Sequence, residues 1–188
     1  EACRQQAAWQ AAGRPPITVA INISALQFRK QGFVDRVREI IQNSGAEPRF
    51  LELELTESAL MQPTPETETQ LATLRGMGLS LALDDFGTGY SSLSCLKRLP
   101  LTHLKIDRSF IRDLPGDTED AAIATATLSI ARDLGLEVVA EGVETEAQRD
   151  FLLDRQCRIM QGFLFARPQP AANITRLLEA EAPASTRA

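Results

Sequence analysis

The sequence has few of the residues on which several common kinds of site depend. Its 188 residues include one histidine, His103, and three cysteines that lie far apart and form no CxxC motif. A single histidine excludes a multi-histidine zinc site, and the cysteine spacing predicts neither a disulfide framework nor a thiolate metal site. The cysteine usage fits a reducing cytosol, and a catalytic metal would need mainly oxygen ligands.

Long apolar runs and an excess of positive charge are also missing. No run approaches the roughly 20 apolar residues of a membrane helix, and no signal peptide opens the chain. The 20 basic and 25 acidic residues give a net charge of −5. We therefore expect no direct membrane contact by this domain and no binding of DNA or RNA. The 44% hydrophobic content predicts one globular domain over residues 1–180, followed by a disordered tail over residues 181–188.

Predicted strands and helices alternate along the chain. Short segments rich in β-branched or apolar residues recur six times, and each is followed by apolar residues at helical spacing. This alternation predicts a parallel α/β sheet, either an open doubly wound sheet or a barrel. The predicted strands are residues 18–24, 50–57, 79–86, 103–110, 137–143 and 159–166. The predicted helices are residues 1–13, 28–45, 67–78, a short segment ending before Pro100, 118–134, 145–155 and 171–180.

Every predicted strand has an apolar face and a second face with a polar group near its C-terminal end. Because side chains of a strand alternate between two faces, the leucines of residues 50–57 oppose Glu52, Glu54 and Thr56. An open sheet covered by helices would bury such carboxylates unpaired, which is costly. In a barrel, one face of every strand converges on the mouth, where the active sites of barrels lie. The polar groups at the strand ends are Asn22, Glu54, Asp84, Lys105, Glu141 and Gln161.

Several of these groups are carboxylates gathered around a single ammonium group. Like charges this close need a cation to stay ionised, and Mg²⁺, Mn²⁺ or Ca²⁺ prefer carboxylate and amide oxygens. Adjacent Asp84 and Asp85 suit two metal ions, and two-metal sites hydrolyse phosphate esters. Alone, this pair also fits a turn or a helix cap, and Lys105 could form a Schiff base, although that chemistry needs a lowered pKa. The acids are Glu54, Asp84, Asp85, Asp107 and Glu141.

Five motifs lie at the ends of the predicted strands: ELTES at 54–58, DDFGTGYSSL at 84–93, LKIDRSF at 104–110, AEGVET at 140–145 and QGFLFARP at 161–168. In this order and spacing they resemble the EAL domain, the bacterial phosphodiesterase that cleaves cyclic di-GMP to linear pGpG. The resemblance covers residues 1–178 and implies a TIM-like (β/α) barrel with an antiparallel first strand. This agrees with the barrel predicted from the strand faces.

The resemblance implies a metal centre with two ions, Mg²⁺ or Mn²⁺. It assigns the metal ligands residue by residue, as Asn22, Glu54, Asp84 and Glu141, with Asp85 helping to hold the second ion. The implied ligand is cyclic di-GMP. A homodimer and flanking GGDEF or sensory domains are compatible with the family, and so is a cytoplasmic location, even where the parent protein is anchored in a membrane.

The resemblance also implies a catalytic set, which consists of Lys105, Glu141, Glu57 and Gln161. Lys105 would help to activate the attacking water, and Gln161 would contact water or phosphate. Glu57 would anchor the loop 85–92, which in the family is coupled to substrate and to the dimer. Glu144 would play a supporting role.

One departure from the family pattern concerns the motif that names it. Glu-Ala-Leu followed by an arginine does not occur in the 188 residues, and in the family this glutamate binds metal while the arginine helps to bind substrate. The family barrel has eight strands, so we expect about the first two strands and one helix to be lacking. We expect weak or no catalysis by the 188 residues alone.

Two other interpretations compete with hydrolysis. The first is a non-catalytic cyclic di-GMP receptor or protein-interaction module of the same fold, which is suggested by the missing glutamate. The second is a metal-dependent barrel isomerase or lyase built on Lys105, which fits the polar inner face but not the loop motifs.

Overall fold

A computed structural model describes residues 1–60, 64–87 and 93–181. The strands are β1 Val19–Ile23, β2 Leu51–Thr56, β3 Ser80–Phe86, β4 His103–Ile106, β5 Glu137–Glu141 and β6 Ile159–Gln161. The helices are α1 Ala2–Ala11, α2 Ala25–Phe28, α3 Phe33–Ser44, α4 Glu57–Leu60, α5 Pro65–Gly76, α6 Leu93–Arg98, α7 Thr118–Asp133, α8 Glu146–Asp154 and α9 Ala171–Glu181. The predicted alternation of strands and helices is confirmed.

All six strands are parallel and pair in chain order from β1 to β6. A doubly wound sheet would instead reverse its strand order at a switch point. The unbroken order is that of a barrel wall, so the strands form an open half-barrel. Within the described part of the chain, β1 and β6 each pair on one side only. The predicted α/β barrel class is confirmed.

Several predicted elements begin or end elsewhere in the structure, and the sixth strand ends at Gln161 rather than at residue 166. The helix predicted over residues 28–45 begins only at Phe33, because Gly32 takes a left-handed φ of 76° and separates α3 from the short α2. The fourth strand ends at Ile106 rather than at residue 110. There the carboxylate of Asp107 accepts a hydrogen bond from the backbone N–H of Ser109 and begins a 3-10 turn. Side-chain capping thus overrides the apolar pattern at this strand end.

The C-terminal end of the described chain is helical. Helix α9 runs to Glu181, so the first residue of the predicted disordered tail belongs to a helix. The rest of that tail, residues 182–188, lies outside the described residues.

The outer face of the sheet supplies the core. Its side chains are almost fully buried against the helices, and each buried leucine contributes about 1.5–3 kcal/mol. Because the core uses this face alone, the inner face is free to carry polar groups. The core side chains of β2, β3 and β4 are Leu51, Leu53, Leu55, Leu81, Leu83, Leu104 and Ile106.

The first and last helices contact each other. The indole N–H of Trp9 donates a hydrogen bond to the hydroxyl of Thr175 at 2.8 Å, and Arg14 forms an ion pair with Glu179. Trp9 is buried in this contact. None of the helices described is long and apolar enough to cross a lipid bilayer.

Strand β6 stops at Gln161 because the chain then folds against the segment that follows β5. The backbone N–H of Val143 donates to the carbonyl of Gln161 at 3.0 Å, and the carbonyl of Val143 accepts from Leu164 at 3.1 Å. A Cβ on Gly162 would lie 2.1 Å from the carbonyl oxygen of Val143. Only glycine therefore fits between the two backbones.

We predict that Gly162→Ala lowers the free energy of unfolding by about 1–3 kcal/mol, because the added methyl group must push backbone atoms apart. Urea unfolding followed by circular dichroism measures this loss. The matched control is Gly76→Ala at the end of α5, where an added Cβ meets no atom within 4 Å. Equal unfolding midpoints for the two variants would contradict the close approach.

Candidate active site

Four polar side chains from β2 to β5 meet on the inner face of the half-barrel. The Nζ atom of Lys105 lies 2.8 Å from Oε1 of Glu54, 3.1 Å from Oδ1 of Asp84 and 2.7 Å from Oε1 of Glu141. The contact with Glu54 spans β3, where the register partner of Glu54 is the small residue Ala82. One ammonium group thus links four strands.

Lys105 is a fixed positive charge. Its side chain is only 4% exposed. Burial alone would lower the pKa of Lys105, but hydrogen bonds to Glu141 and Glu54, together with their charges, hold that pKa well above its ordinary value. A nucleophilic lysine needs a lowered pKa. The geometry therefore argues against the Schiff-base interpretation and makes Lys105 a hydrogen-bond donor.

The carboxylates around Lys105 carry more negative charge than one ammonium group compensates. Burial raises the pKa of Glu54 and of Glu141, and Lys105 offsets this rise only in part. Asp84, Asp85 and Glu141 each offer one oxygen, and these oxygens lie within 4.8 Å of one another. A divalent cation with oxygen ligands fits this spacing and would relieve the repulsion.

A backbone irregularity brings the adjacent aspartates together. Asp85 has a left-handed φ of 56°, and its N–H donates a hydrogen bond to Oδ1 of Asp84 at 3.0 Å. The register of β3 against β4 shifts between Leu83 and Phe86. Burial and then the charges of Asp84 and Asp107 raise the pKa of the Asp85 carboxyl. Regular alternation would place the two carboxylates on opposite faces, so the irregularity provides the pair.

Asn22 and Gln161 lie at the two edges of the half-barrel. Asn22 is the register partner of Glu54, and Gln161 is the register partner of Glu141. Both residues are exposed. The structure places each beside a member of the central cluster, and their roles as a metal ligand and a catalytic residue stay predictions.

Glu57 contacts the start of the loop 85–92. It is buried, and its Oε2 accepts a hydrogen bond from the N–H of Gly87 at 3.4 Å. Residues 88–92 lie outside the described residues, so the coupling of this loop to substrate stays a prediction. Glu144 is exposed next to the first residues of α8, and its supporting role also stays a prediction.

A second charged cluster, to which the sequence analysis assigned no role, lies deeper on the inner face. His103 forms ion pairs with Glu52 and Glu137. The sequence signal for this cluster is the alternation of strand faces. Glu52 lies two residues before Glu54, and His103 lies two residues before Lys105, so each shares a face with a residue of the first cluster. The rule that places active sites at the C-terminal ends of strands does not predict this cluster, because its residues lie near the N-terminal ends of their strands.

Comparison of this sequence with known protein families gives a match over most of the chain. The family model for the EAL domain matches residues 1–168. The chain belongs to the EAL domain family. It is 49% identical over 174 residues to the bifunctional diguanylate cyclase/cyclic di-GMP phosphodiesterase MucR of Pseudomonas aeruginosa, which covers 93% of this chain and 25% of the relative. The chain thus spans about a quarter of the length of this curated relative.

Solved structures of EAL domain proteins share the fold. The structure titled PaMucR phosphodiesterase, c-di-GMP complex, has a TM-score of 0.88 and 48% identity, covering 92% of this chain and 70% of that chain. Klebsiella pneumoniae BlrP1, in its manganese/cy-diGMP complex, has a TM-score of 0.77 and 32% identity, covering 88% of this chain and 42% of that chain. The TIM-like barrel expected from the resemblance is the fold of these EAL domain neighbours.

We predict that Lys105→Met destabilises the fold by about 3–5 kcal/mol without divalent cations, because three carboxylates lose their buried counter-charge. Urea unfolding with and without Mn²⁺ measures the effect, and Mn²⁺ should restore part of the loss. The control is Lys97→Met on α6, an exposed lysine whose loss should change stability by about 0.5 kcal/mol or less. Similar stability of the two variants would contradict the central position of Lys105.

Proposed function

We propose that this EAL domain hydrolyses cyclic di-GMP to linear pGpG with two divalent cations, Mg²⁺ or Mn²⁺. The observation that carries the proposal is the acidic cluster around Lys105, to which Asp85 adds a further carboxylate. Support comes from MucR, whose name includes cyclic di-GMP phosphodiesterase, and from BlrP1, whose complex contains manganese and cyclic di-GMP.

The donor set fits hard divalent cations. Glu54, Asp84, Asp85 and Glu141 are carboxylates, and Asn22 adds an amide oxygen at the edge of the same face. Bound ions would polarise the scissile phosphate and lower the pKa of a water molecule. The domain's own contribution is to hold these oxygens in place on strands that the leucine core keeps rigid.

Lys105 has a defined part in this proposal. Its Nζ contacts Glu54 and Glu141; against its burial, their hydrogen bonds and charges raise the pKa of Lys105, so its part in the cluster is that of a hydrogen-bond donor. It orients the attacking water or a phosphate oxygen and supplies positive charge as the transition state forms. Glu57 holds Gly87 at the start of the loop, and Gln161 contacts water or phosphate from β6.

The products follow from the bonds exchanged. The water oxygen bonds to phosphorus, and the bond between phosphorus and the 3′ oxygen breaks. One water proton ends on that 3′ oxygen, and the other stays on the new phosphate monoester or passes to solvent. Opening one of the two phosphodiesters in this way gives a linear dinucleotide with a 5′ phosphate, which is pGpG.

We predict that Glu54→Gln in the full-length protein lowers the rate of pGpG formation about 100-fold or more, since even groups outside the metal's ligand shell contribute about 10- to 100-fold. Chromatography of pGpG in the presence of Mn²⁺ measures the rate. The matched control is Glu39→Gln, an exposed acid on α3 that pairs with Arg36. Undiminished turnover by Glu54→Gln would contradict the assigned site.

The second candidate function is a non-catalytic cyclic di-GMP receptor or protein-interaction module. The structure of the PaMucR phosphodiesterase in its c-di-GMP complex, which shares the fold, supports binding of the nucleotide. Calorimetric titration with cyclic di-GMP, followed by analysis of the nucleotide, distinguishes the two functions. Binding without linear product from the full-length protein would favour the receptor.

Location and partners are proposed on less direct support. The buried free thiols of Cys3 and Cys157 suit a reducing compartment, which supports a cytoplasmic location. The greater length of MucR and its bifunctional name support flanking domains, including a GGDEF domain. Homodimer formation is proposed from the family resemblance alone.

A further inference from the structure

His103 lies between two carboxylates on the inner face, below the Lys105 cluster. Its Nδ1 is 2.5 Å from Oε2 of Glu52 on β2, and its Nε2 is 3.1 Å from Oε2 of Glu137 on β5. The contact with Glu52 crosses β3, where Ala82 is the register partner of His103. The ring therefore links three strands through both of its nitrogens.

The polar groups around the ring favour a proton on Nδ1. The hydroxyl of Thr102 lies 3.0 Å from Nδ1 but donates its single hydrogen to the carbonyl of Leu81 at 2.9 Å. Both groups facing Nδ1, this hydroxyl and Glu52, are thus acceptors. The carboxylate of Glu137 is an acceptor at Nε2 as well. Only the imidazolium form carries a proton on each nitrogen.

Loss of the positive charge on His103 would destabilise Glu52 more than Glu137, because Glu52 is the more buried of the two. The side chain of Glu52 is 9% exposed, and its buried Oε2 accepts no hydrogen bond from the described residues, so its close polar contact there is the ion pair with Nδ1 of His103. The side chain of Glu137 is 70% exposed, so water can replace the ring there. The pair that matters is therefore Glu52 with His103.

We propose that Glu52 and His103 form a pH-sensitive lock across the inner face of the half-barrel, closed while the ring carries two protons and weakened when it loses one. The charged groups that face the ring are Glu52 from β2 and Glu137 from β5, while β3 presents the uncharged Ala82. On β4 itself, Lys105 lies on the same face two residues further along. The lock does not depend on hydrolysis of any nucleotide by the site above it.

The direction of the pH effect follows from the two carboxylates. The close contact of Nδ1 with the carboxylate of Glu52 raises the pKa of His103; burial opposes this, and the charges of Glu52 and Glu137 add to the rise. A proton held more tightly by the folded than by the unfolded chain stabilises the fold below the unfolded pKa. This stabilisation is lost as pH rises through the raised pKa of the folded state. The lock should therefore weaken on the alkaline side.

The titration of His103 can be measured without assigning the NMR resonances to residues, because His103 is the sole histidine of the chain. We predict that imidazole ¹H–¹⁵N spectra of the untagged protein give a midpoint above the ordinary value of about 6.5. Glu52→Gln should shift that midpoint downwards, and Glu137→Gln should shift it less. A wild-type midpoint at or below 6.5, or one that Glu52→Gln leaves unchanged, would overturn the proposal.

Stability provides the second measurement. From about pH 6 to about pH 9 the urea midpoint, followed by circular dichroism, should fall more for the wild type than for His103→Gln. Glu54, Glu141 and Asp85 also have raised pKa values and change the stability with the same sign in both proteins, so the difference between the two proteins isolates His103. Equal slopes would overturn the proposal.

Discussion

The contact of one ammonium group with three carboxylates is the constraint on which the inner face depends. Glu54, Asp84 and Glu141 come from three different strands, and without Lys105 their charges would repel one another in a half-buried space. The ammonium group compensates part of this charge and leaves a negative surplus. That surplus suits divalent cations with oxygen ligands, which is the physical basis of the proposed two-cation site.

Small residues on the middle strand make such contacts geometrically possible. Side chains on β2 and β4 are two strands apart and can meet only if β3 presents little between them. Ser80 and Ala82 do so, because they are the register partners of Glu52 and Glu54. The space beside these two small residues lets Glu54 reach Lys105 and lets Glu52 reach His103. The size pattern of β3 is thus part of the site, although Ser80 and Ala82 themselves contribute no charged group.

The sequence predicts most of this face through one simple rule. Alternation places Glu54, Lys105 and Glu141 inward, and the parallel strand order brings them together. The rule fails for Asp85, since its inward position depends on a left-handed residue and a register shift that no periodicity reveals. It fails likewise where β6 ends, because Gly162 is fixed by a contact with Val143, which lies far away in the sequence. Such features follow from tertiary packing, which local patterns do not contain.

The contact between the first and last helices has a practical consequence. Trp9 is the single tryptophan of the chain, and its indole is buried where α1 meets α9. Intrinsic fluorescence excited at the indole band therefore reports the docking of the C-terminal helix rather than events at the acidic cluster. The chain carries a natural optical probe of how its two ends are held together.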